Sequence, residues 1–220
     1  MRPLTLAGTA AALLLLTGCA AAAPAGPGAP QPPQASAPSA PAAGLEPGPQ
    51  ARARLADLPV PSADGEVLAI GTALQAADGP PMLCTMVLTS YPPQCGGPEI
   101  EGWDWSAAAH EEASGVRWTE ASVAFLATYD AASGALAVVE MLDLATLSMP
   151  AYEEPIGTID EATATAIQAD LMSLDRADIR GSAATADVAT LEVVYDDGSM
   201  QAFLDDLYGP GAVWVESWLR

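Results

Sequence analysis

Two closely spaced cysteines restrict the fold of this chain more than any other feature of its sequence. Cys84 lies in an apolar run of strand character, a Pro-Pro follows this run, and Cys95 opens a Cys-Gly-Gly-Pro segment. The pattern predicts a strand that ends in a tightly fixed loop. The whole stretch 83–105 therefore has the character of a structural signature, and it identifies neither a reaction nor a ligand.

The N-terminus has the pattern of a lipoprotein signal peptide, which we predict over residues 1–18. Arg2 precedes an uncharged apolar run, residues 4–16, that is too short to span a bilayer as a helix. Leu16-Thr17-Gly18-Cys19 resembles a bacterial lipobox, so we expect a lipid on Cys19 and cleavage before it. The alternative is an ordinary signal peptide cut in the following alanine run. The lipid interpretation predicts a protein held at the extracytoplasmic face of the cell membrane by this anchor and by no other membrane contact.

Export also bears on the two remaining cysteines. Secreted proteins fold in an oxidising environment and rarely leave a thiol unpaired. With Cys19 assigned to the lipid, Cys84 and Cys95 are left to each other, and we predict a disulfide between them. The alternative is a pair of buried free thiols.

Composition divides the rest of the chain. Residues 19–54 are rich in Ala, Pro and Gly, and we expect a disordered tether because such a segment buries too little apolar area to offset its ordering entropy. Residues 55–220 are long enough for a single folded domain, and the alternative is a division at about residue 150 into lobes 55–150 and 151–220.

The apolar periodicity of the domain predicts an α+β fold. Alternating segments indicate an antiparallel β meander that curls into a barrel or half-barrel similar to an OB-fold. The C-terminal part indicates a helix and then a strand-helix-strand unit with parallel strands. The predicted strands are 66–76, 82–90, 117–129, 135–143, 187–196 and 212–219, and the predicted helices are 106–114, 160–174 and a segment that ends at Gly209.

Charge limits the partners of this domain. The chain contains 28 acidic residues against 7 basic ones, all of them arginine, and its formal net charge is −21. Nucleic acids and anionic lipid headgroups would be repelled. The acidity is typical either of a solvated surface or of one that faces a cationic partner.

Catalytic chemistry is not indicated by any motif. His110 is the one histidine and lacks the i, i+4 partner of a zinc helix, and we find no Gly-x-Ser-x-Gly or phosphate-binding loop. We therefore predict a non-catalytic protein with no catalytic residues, no metal site and no cofactor. Two alternatives stay open: an extracellular hydrolase, for example on glycans, that uses two distant carboxylates, and a weak calcium-dependent binding protein.

A binding loop is the functional hypothesis that the sequence favours. Trp103 and Trp105 alternate onto one face if their segment is extended, and with Tyr91 and Asp104 they offer a stacking surface for a cationic or glycan-bearing partner of the cell envelope. The alternative places both tryptophans in the core.

The chain contains the motifs Leu83-Cys84, Ser90-Tyr91-Pro92-Pro93-Gln94-Cys95-Gly96-Gly97-Pro98 and Gly102-Trp103-Asp104-Trp105, with Tyr208-Gly209-Pro210-Gly211 before a terminal strand. Together these motifs resemble an uncharacterised group of exported proteins and lipoproteins of high-GC actinobacteria. The resemblance covers about a quarter of the domain. It implies export and a disulfide, and it implies no activity.

Overall fold

The computed structural model describes residues 44–149, 151 and 155–220, and over these ranges it confirms the predicted α+β class. Three α-helices and ten strands are found there. The helices are α1 (Pro49–Leu55), α2 (Glu161–Leu171) and α3 (Ser199–Tyr208), and the strands are β1 (Glu66–Gln75), β2 (Pro81–Cys84), β3 (Ile100–Glu101), β4 (His110–Ala113), β5 (Val116–Thr119), β6 (Val123–Asp130), β7 (Ala135–Leu142), β8 (Ile179–Ala184), β9 (Ala189–Val193) and β10 (Val213–Ser217).

Seven strands form a first sheet in the order β3-β7-β6-β1-β5-β4, and β2 pairs with β1 outside this path. The antiparallel pairs β1–β2 and β6–β7 correspond to the predicted meander. The sheet is open rather than closed into a barrel, because β3 and β4 at its two ends do not pair with each other.

The two faces of β1 differ in burial. Val67, Ala69 and Ala73 are buried, and Phe125 packs with them in the core of the first lobe. Small residues on this face leave room for the aromatic ring. Leu68 and Ile70 point to the other face and are only half-buried. This second face of β1 therefore carries apolar side chains that the fold does not fully cover.

Two predicted elements are wrong in this lobe. The segment 106–114, predicted as a helix, contains the short strand β4, which pairs with β5. The strand predicted over 117–129 is divided into β5 and β6, both of which run antiparallel to β1. Three positions separate Gly71 from Leu74 on β1, whereas five separate their partners Val123 and Trp118. Some of the residues between Trp118 and Val123 therefore have no pairing partner on β1.

The second lobe consists of a three-stranded sheet, β10-β9-β8, with helices packed on one face. Here β9 and β10 are parallel and α3 connects them, as the sequence predicted. The predicted helix over 160–174 is confirmed as α2, and Asp160 caps its N-terminus by accepting a hydrogen bond from the backbone N–H of Thr163. Sequence analysis missed β8.

The predicted tether is wrong at its C-terminal end. Residues 49–55 form α1, whose Ala51 and Leu55 are buried in the core of the second lobe. Asp170 on α2 is only 1% exposed and accepts hydrogen bonds from the backbone N–H of Gly48 at 2.6 Å and from the Arg52 guanidinium at 2.7 Å. This carboxylate fixes the start of α1 to α2. Cys19 and residues 19–43 lie outside the described residues.

The residues that follow β10 connect the two lobes. Leu219 donates its backbone N–H to the carbonyl of Val194, while Arg220 and Leu68 on β1 exchange backbone hydrogen bonds in both directions. Leu219 is itself buried in the core of the first lobe. The residues after β10 therefore form a short extended segment that is hydrogen-bonded to β1, on the side that β6 does not occupy.

Glutamine side chains occupy both edges of the second sheet. The amide of Gln201 on α3 donates to the carbonyl of Val213 and accepts from the backbone N–H of Val215, each at 2.9 Å. On the opposite edge strand, the carbonyl of Ser182 accepts a hydrogen bond from Gln168 on α2. Gln201 thus makes the pair of hydrogen bonds that a further strand would make with β10.

Tyr208 predicts a loss of stability at alkaline pH. Burial raises the pKa of its hydroxyl above the ordinary value of 10.0, and the negative charge of Asp170, to which the hydroxyl donates, raises it further. The unfolded chain releases this proton above about pH 10 while the folded chain retains it, so the free energy of unfolding should fall as the pH rises from 10. Urea unfolding between pH 9 and 11 should show a smaller fall for Tyr208→Phe than for the exposed control Tyr91→Phe. Equal slopes would contradict this prediction.

Candidate functional site

A groove of about 560 Å³ lies between the half-buried face of β1 and the face of the second sheet that the helices leave open. Its apolar floor comes from Leu68 and Ile70 on β1. Glu216 and Trp218, on and just after β10, form the opposite side. Arg220, whose backbone is hydrogen-bonded to that of Leu68, also lines the groove. The groove therefore lies where the second sheet meets β1.

A second pocket of about 340 Å³ continues this groove under the loop between the two cysteines. Met86, Glu192 and Trp218 line both cavities. Arg180, at the β-bulge of β8, lines the second pocket. We treat the two cavities as one site, called the groove below.

The disulfide loop, residues 85–94, forms one wall of the groove. The predicted disulfide between Cys84 and Cys95 is present, and Leu88 pairs with Gln94 inside the loop. Position 97, shortly after the disulfide, requires glycine, because a Cβ there would overlap the carbonyl of Leu83. The strand predicted over 82–90 ends at Cys84, so the loop displays its large side chains outward: Met86 is 71% exposed, Leu88 57% and Tyr91 79%. Such a cluster on a fixed loop is typical of an interaction surface.

Two glutamates share the open face of the second sheet. Glu192 on β9 and Glu216 on β10 are register partners, and both line the groove. Among the described residues no arginine or histidine nitrogen lies within 4.0 Å of either carboxylate. Neighbouring like charges destabilise a sheet. The pair therefore offers two carboxylates that form no ion pair within the described part of the chain.

Arginines elsewhere in the described ranges are paired with carboxylates, whereas those of the groove are not. Arg180 and Arg220 form no ion pair with a described residue. The Arg180 guanidinium lies over the Trp218 ring, with 5.1 Å between the Cζ atom and the ring centroid. The paired arginines are Arg52 with Asp170, Arg54 with Asp206, Arg117 with Glu112 and Arg176 with Asp178.

Tyr91 lies apart from the other residues of the predicted binding loop, whereas the rings of Trp103 and Trp105 contact each other edge-on with 5.7 Å between their centroids. Tyr91 is exposed and its ring meets Trp118 edge-on, on the same face of the first sheet as the disulfide. Trp103 and Trp105 lie on the opposite face, half-buried against the core that contains Phe125.

In the described part of the chain, Trp105 and Asp104 direct their polar groups to other residues of the fold, whereas Trp103 does not. The Trp105 Nε1–H donates to Gln75, and Asp104 accepts hydrogen bonds from the backbone N–H and hydroxyl of Ser106, which lower the pKa of its carboxyl. The Trp103 Nε1 is buried without a partner among the described residues. Both indoles therefore have a packing role in this structure.

His110 is exposed on β4, where its Nδ1 lies 3.0 Å from the carbonyl of Ala108 and its ring lies beside Trp105. It is not part of the groove. Within the ranges that the structure describes, no three His, Cys, Asp or Glu side chains are grouped closely enough to hold a metal ion.

Comparison with known proteins adds no family: the chain matches no protein-family model, no curated protein and no solved structure. In the described part of the chain no helix has the length and apolar character needed to cross a bilayer.

Sequence reasoning missed the groove, although one signal was present. The terminal strand alternates Trp214, Glu216 and Trp218 on one face. An acidic side chain between two indoles on a strand that starts in the core indicates a face that is not packed against helices. Its partners Glu192 and Arg180 come from β9 and β8, and no local pattern connects them with the end of the chain.

Proposed function

We propose that this protein is a non-catalytic binding module and that its groove holds an extended, basic polypeptide segment with apolar side chains. The observation that carries the proposal is the Glu192–Glu216 pair, two carboxylates side by side in the groove without a positive partner among the described residues. A lysine or arginine of the ligand would lie between the two carboxylates and offset part of their charge.

The apolar part of the ligand has a matching surface. Leu68 and Ile70 form the floor, and Met86 contributes an exposed, flexible thioether to the wall. Methionine adapts to side chains of different shape, which suits recognition of a polypeptide segment. The disulfide holds this wall in place, so less conformational entropy is lost when the ligand binds.

Charge over the whole molecule favours the same class of partner. A net charge of −21 attracts basic polypeptides over the distance of a Debye length and repels nucleic acids. We also propose that Cys19 carries a lipid that holds the domain at the outer face of the membrane, in agreement with its resemblance to exported lipoproteins.

A carboxylate-dependent glycoside hydrolase is the second candidate, because Glu192 and Glu216 place two carboxylates in one groove. In such enzymes the two carboxyl groups flank the scissile bond. Side chains of register partners on parallel strands leave the sheet in the same direction and do not face each other across a substrate. The geometry therefore favours binding over this chemistry. Hydrolysis of a glycan by the wild-type domain that is lost in Glu192→Gln would favour the enzyme instead.

The glutamate pair predicts a salt-dependent loss of binding. We expect a blocked peptide of alternating Lys and Leu to bind the domain, and the double variant Glu192→Gln, Glu216→Gln to bind it about tenfold more weakly at low salt, since two partly exposed charge pairs are removed. Fluorescence anisotropy with a labelled peptide measures both affinities.

The matched control is Glu99→Gln with Glu101→Gln, which removes two exposed glutamates outside the groove. Its affinity should stay within about twofold of wild type. Equal losses in the two double variants would show that net charge alone attracts the peptide. Equal binding of a Glu-Leu peptide by the wild type would likewise contradict the proposal.

A further inference from the structure

Arg180 has an environment that the proposed function does not yet use. Its Nε is buried and makes no hydrogen bond, and its guanidinium forms no ion pair with the described residues. It is fixed nevertheless, because it lies over the Trp218 ring at 5.1 Å and beside Gly96, where a Cβ would lie 3.4 Å from Nη2. An arginine held by stacking keeps its terminal nitrogens available for a planar anion.

The sheet register places this arginine at one end of a row of charges. Gly181, which follows Arg180, is the register partner of Glu192, and Glu192 is the register partner of Glu216. The charged side chains therefore follow one another across the sheet as positive on β8, negative on β9 and negative on β10. Glu192 lines the same pocket as Arg180, so an isolated anion would meet its repulsion there.

We propose that Arg180 binds the terminal carboxylate of the ligand, so that the groove selects polypeptides with a free C-terminus and a basic residue close to it. This inference rests on the proposed function, because the basic residue is the one held by Glu192 and Glu216. A free C-terminus supplies a planar carboxylate for a bidentate contact with the guanidinium. The neighbouring basic side chain neutralises Glu192, which removes the repulsion that an isolated anion would meet.

Three labelled peptides with the same alternating Lys-Leu sequence test this inference: one with a free C-terminal carboxylate, one amidated, and one amidated with a glutamate added near its end. The wild-type domain should bind the free acid about tenfold more tightly than the amide, and the glutamate peptide should resemble the amide. Preference for the glutamate peptide would overturn the terminal-carboxylate assignment in favour of a side-chain carboxylate.

Arg180→Gln should bind the free acid and the amide equally, and Arg180→Lys should keep part of the preference because it keeps the charge but not the bidentate geometry. The control is Arg117→Gln, since Arg117 also stacks on an indole, that of Trp105, but lies outside the groove. This control should retain the full preference.

The outcomes separate the two proposals. If the wild type binds acid and amide equally, and both need Glu192 and Glu216, the inference on Arg180 is wrong while the proposed function stands. If no Lys-Leu peptide binds the wild type, the proposed function fails and this inference fails with it. The comparison of acid with amide on the wild-type protein does not depend on whether any variant folds.

Discussion

Replacing Cys84 and Cys95 by serine is expected to lower the free energy of unfolding by about 3 kcal/mol, because the disulfide closes a loop of about a dozen residues and removes that freedom from the unfolded chain. Peptide affinity should fall as well. Met86 and Leu88 form the groove wall from within this loop, and without the crosslink the wall must be ordered by the ligand.

Urea unfolding of the double variant measures the stability, and peptide anisotropy measures the affinity. The control is Ser90→Ala, which changes an exposed hydroxyl in the same loop that donates only to the carbonyl of Pro92. Its stability should stay within about 0.5 kcal/mol of wild type. A double variant with reduced stability but unchanged peptide affinity would show that the loop is not a wall of the binding site.

Asp170→Ala is expected to lower the free energy of unfolding by about 3 kcal/mol as well, although no covalent bond is lost. The change removes the acceptor of three hydrogen bonds, from the Gly48 N–H, the Arg52 guanidinium and the Tyr208 hydroxyl. Arg52 can turn to solvent, but the buried Tyr208 hydroxyl would lose its partner.

The part of the fold that Asp170→Ala weakens can be identified separately from the decrease in the free energy of unfolding. Arg52 and Arg54 are trypsin sites within α1, and the chain contains no lysine that would complicate the digest. Asp170→Ala should be cleaved in α1 under conditions in which wild type is not, because the start of this helix is no longer fixed to α2. The control is Asp175→Asn, an exposed carboxylate shortly after α2. Resistance of α1 in the alanine variant would mean that apolar packing alone holds this helix.

The parts of the fold that the sequence predicted are those specified by local chemistry. The helical stripe that includes Ile167 and Leu171, with Asp160 before it, predicted α2, and Gly209 marked the end of α3. The disulfide was predicted from the expected export of the chain and from elimination, and it is present. Each of these inferences needs only residues close in sequence, or the predicted compartment of the chain.

The errors have tertiary causes. The segment that contains His110 has residues compatible with a helix, but pairing of β4 with β5 satisfies its backbone in a strand instead. The end of the proposed tether has a tether's composition, yet Ala51 and Leu55 find an apolar surface on α2 and α3. Neither of these tertiary contacts can be recognised from the sequence of the segment itself.

Sequence analysis directed attention to a different surface for a similar reason. Trp103 and Trp105 looked like a stacking surface because aromatic residues stand out in sequence, but Phe125 gives them a core to pack on. Trp218 became the indole of the groove because a strand ends beside it and no helix covers that face. Whether an aromatic residue is core or contact depends on what the rest of the chain leaves uncovered.

The amide of Gln201 has a consequence for how any ligand can be selected. A polypeptide that joins the edge of a sheet is recognised mainly through its main chain, which is the same in every sequence. Gln201 already makes these main-chain contacts at Val213 and Val215, so the second sheet cannot be extended beyond β10 without displacing it. Under the proposed function, a polypeptide ligand would lie across the open face of this sheet, where it would meet side chains instead of peptide groups. Discrimination between ligands would then depend on their side chains and termini and not on their ability to form a strand.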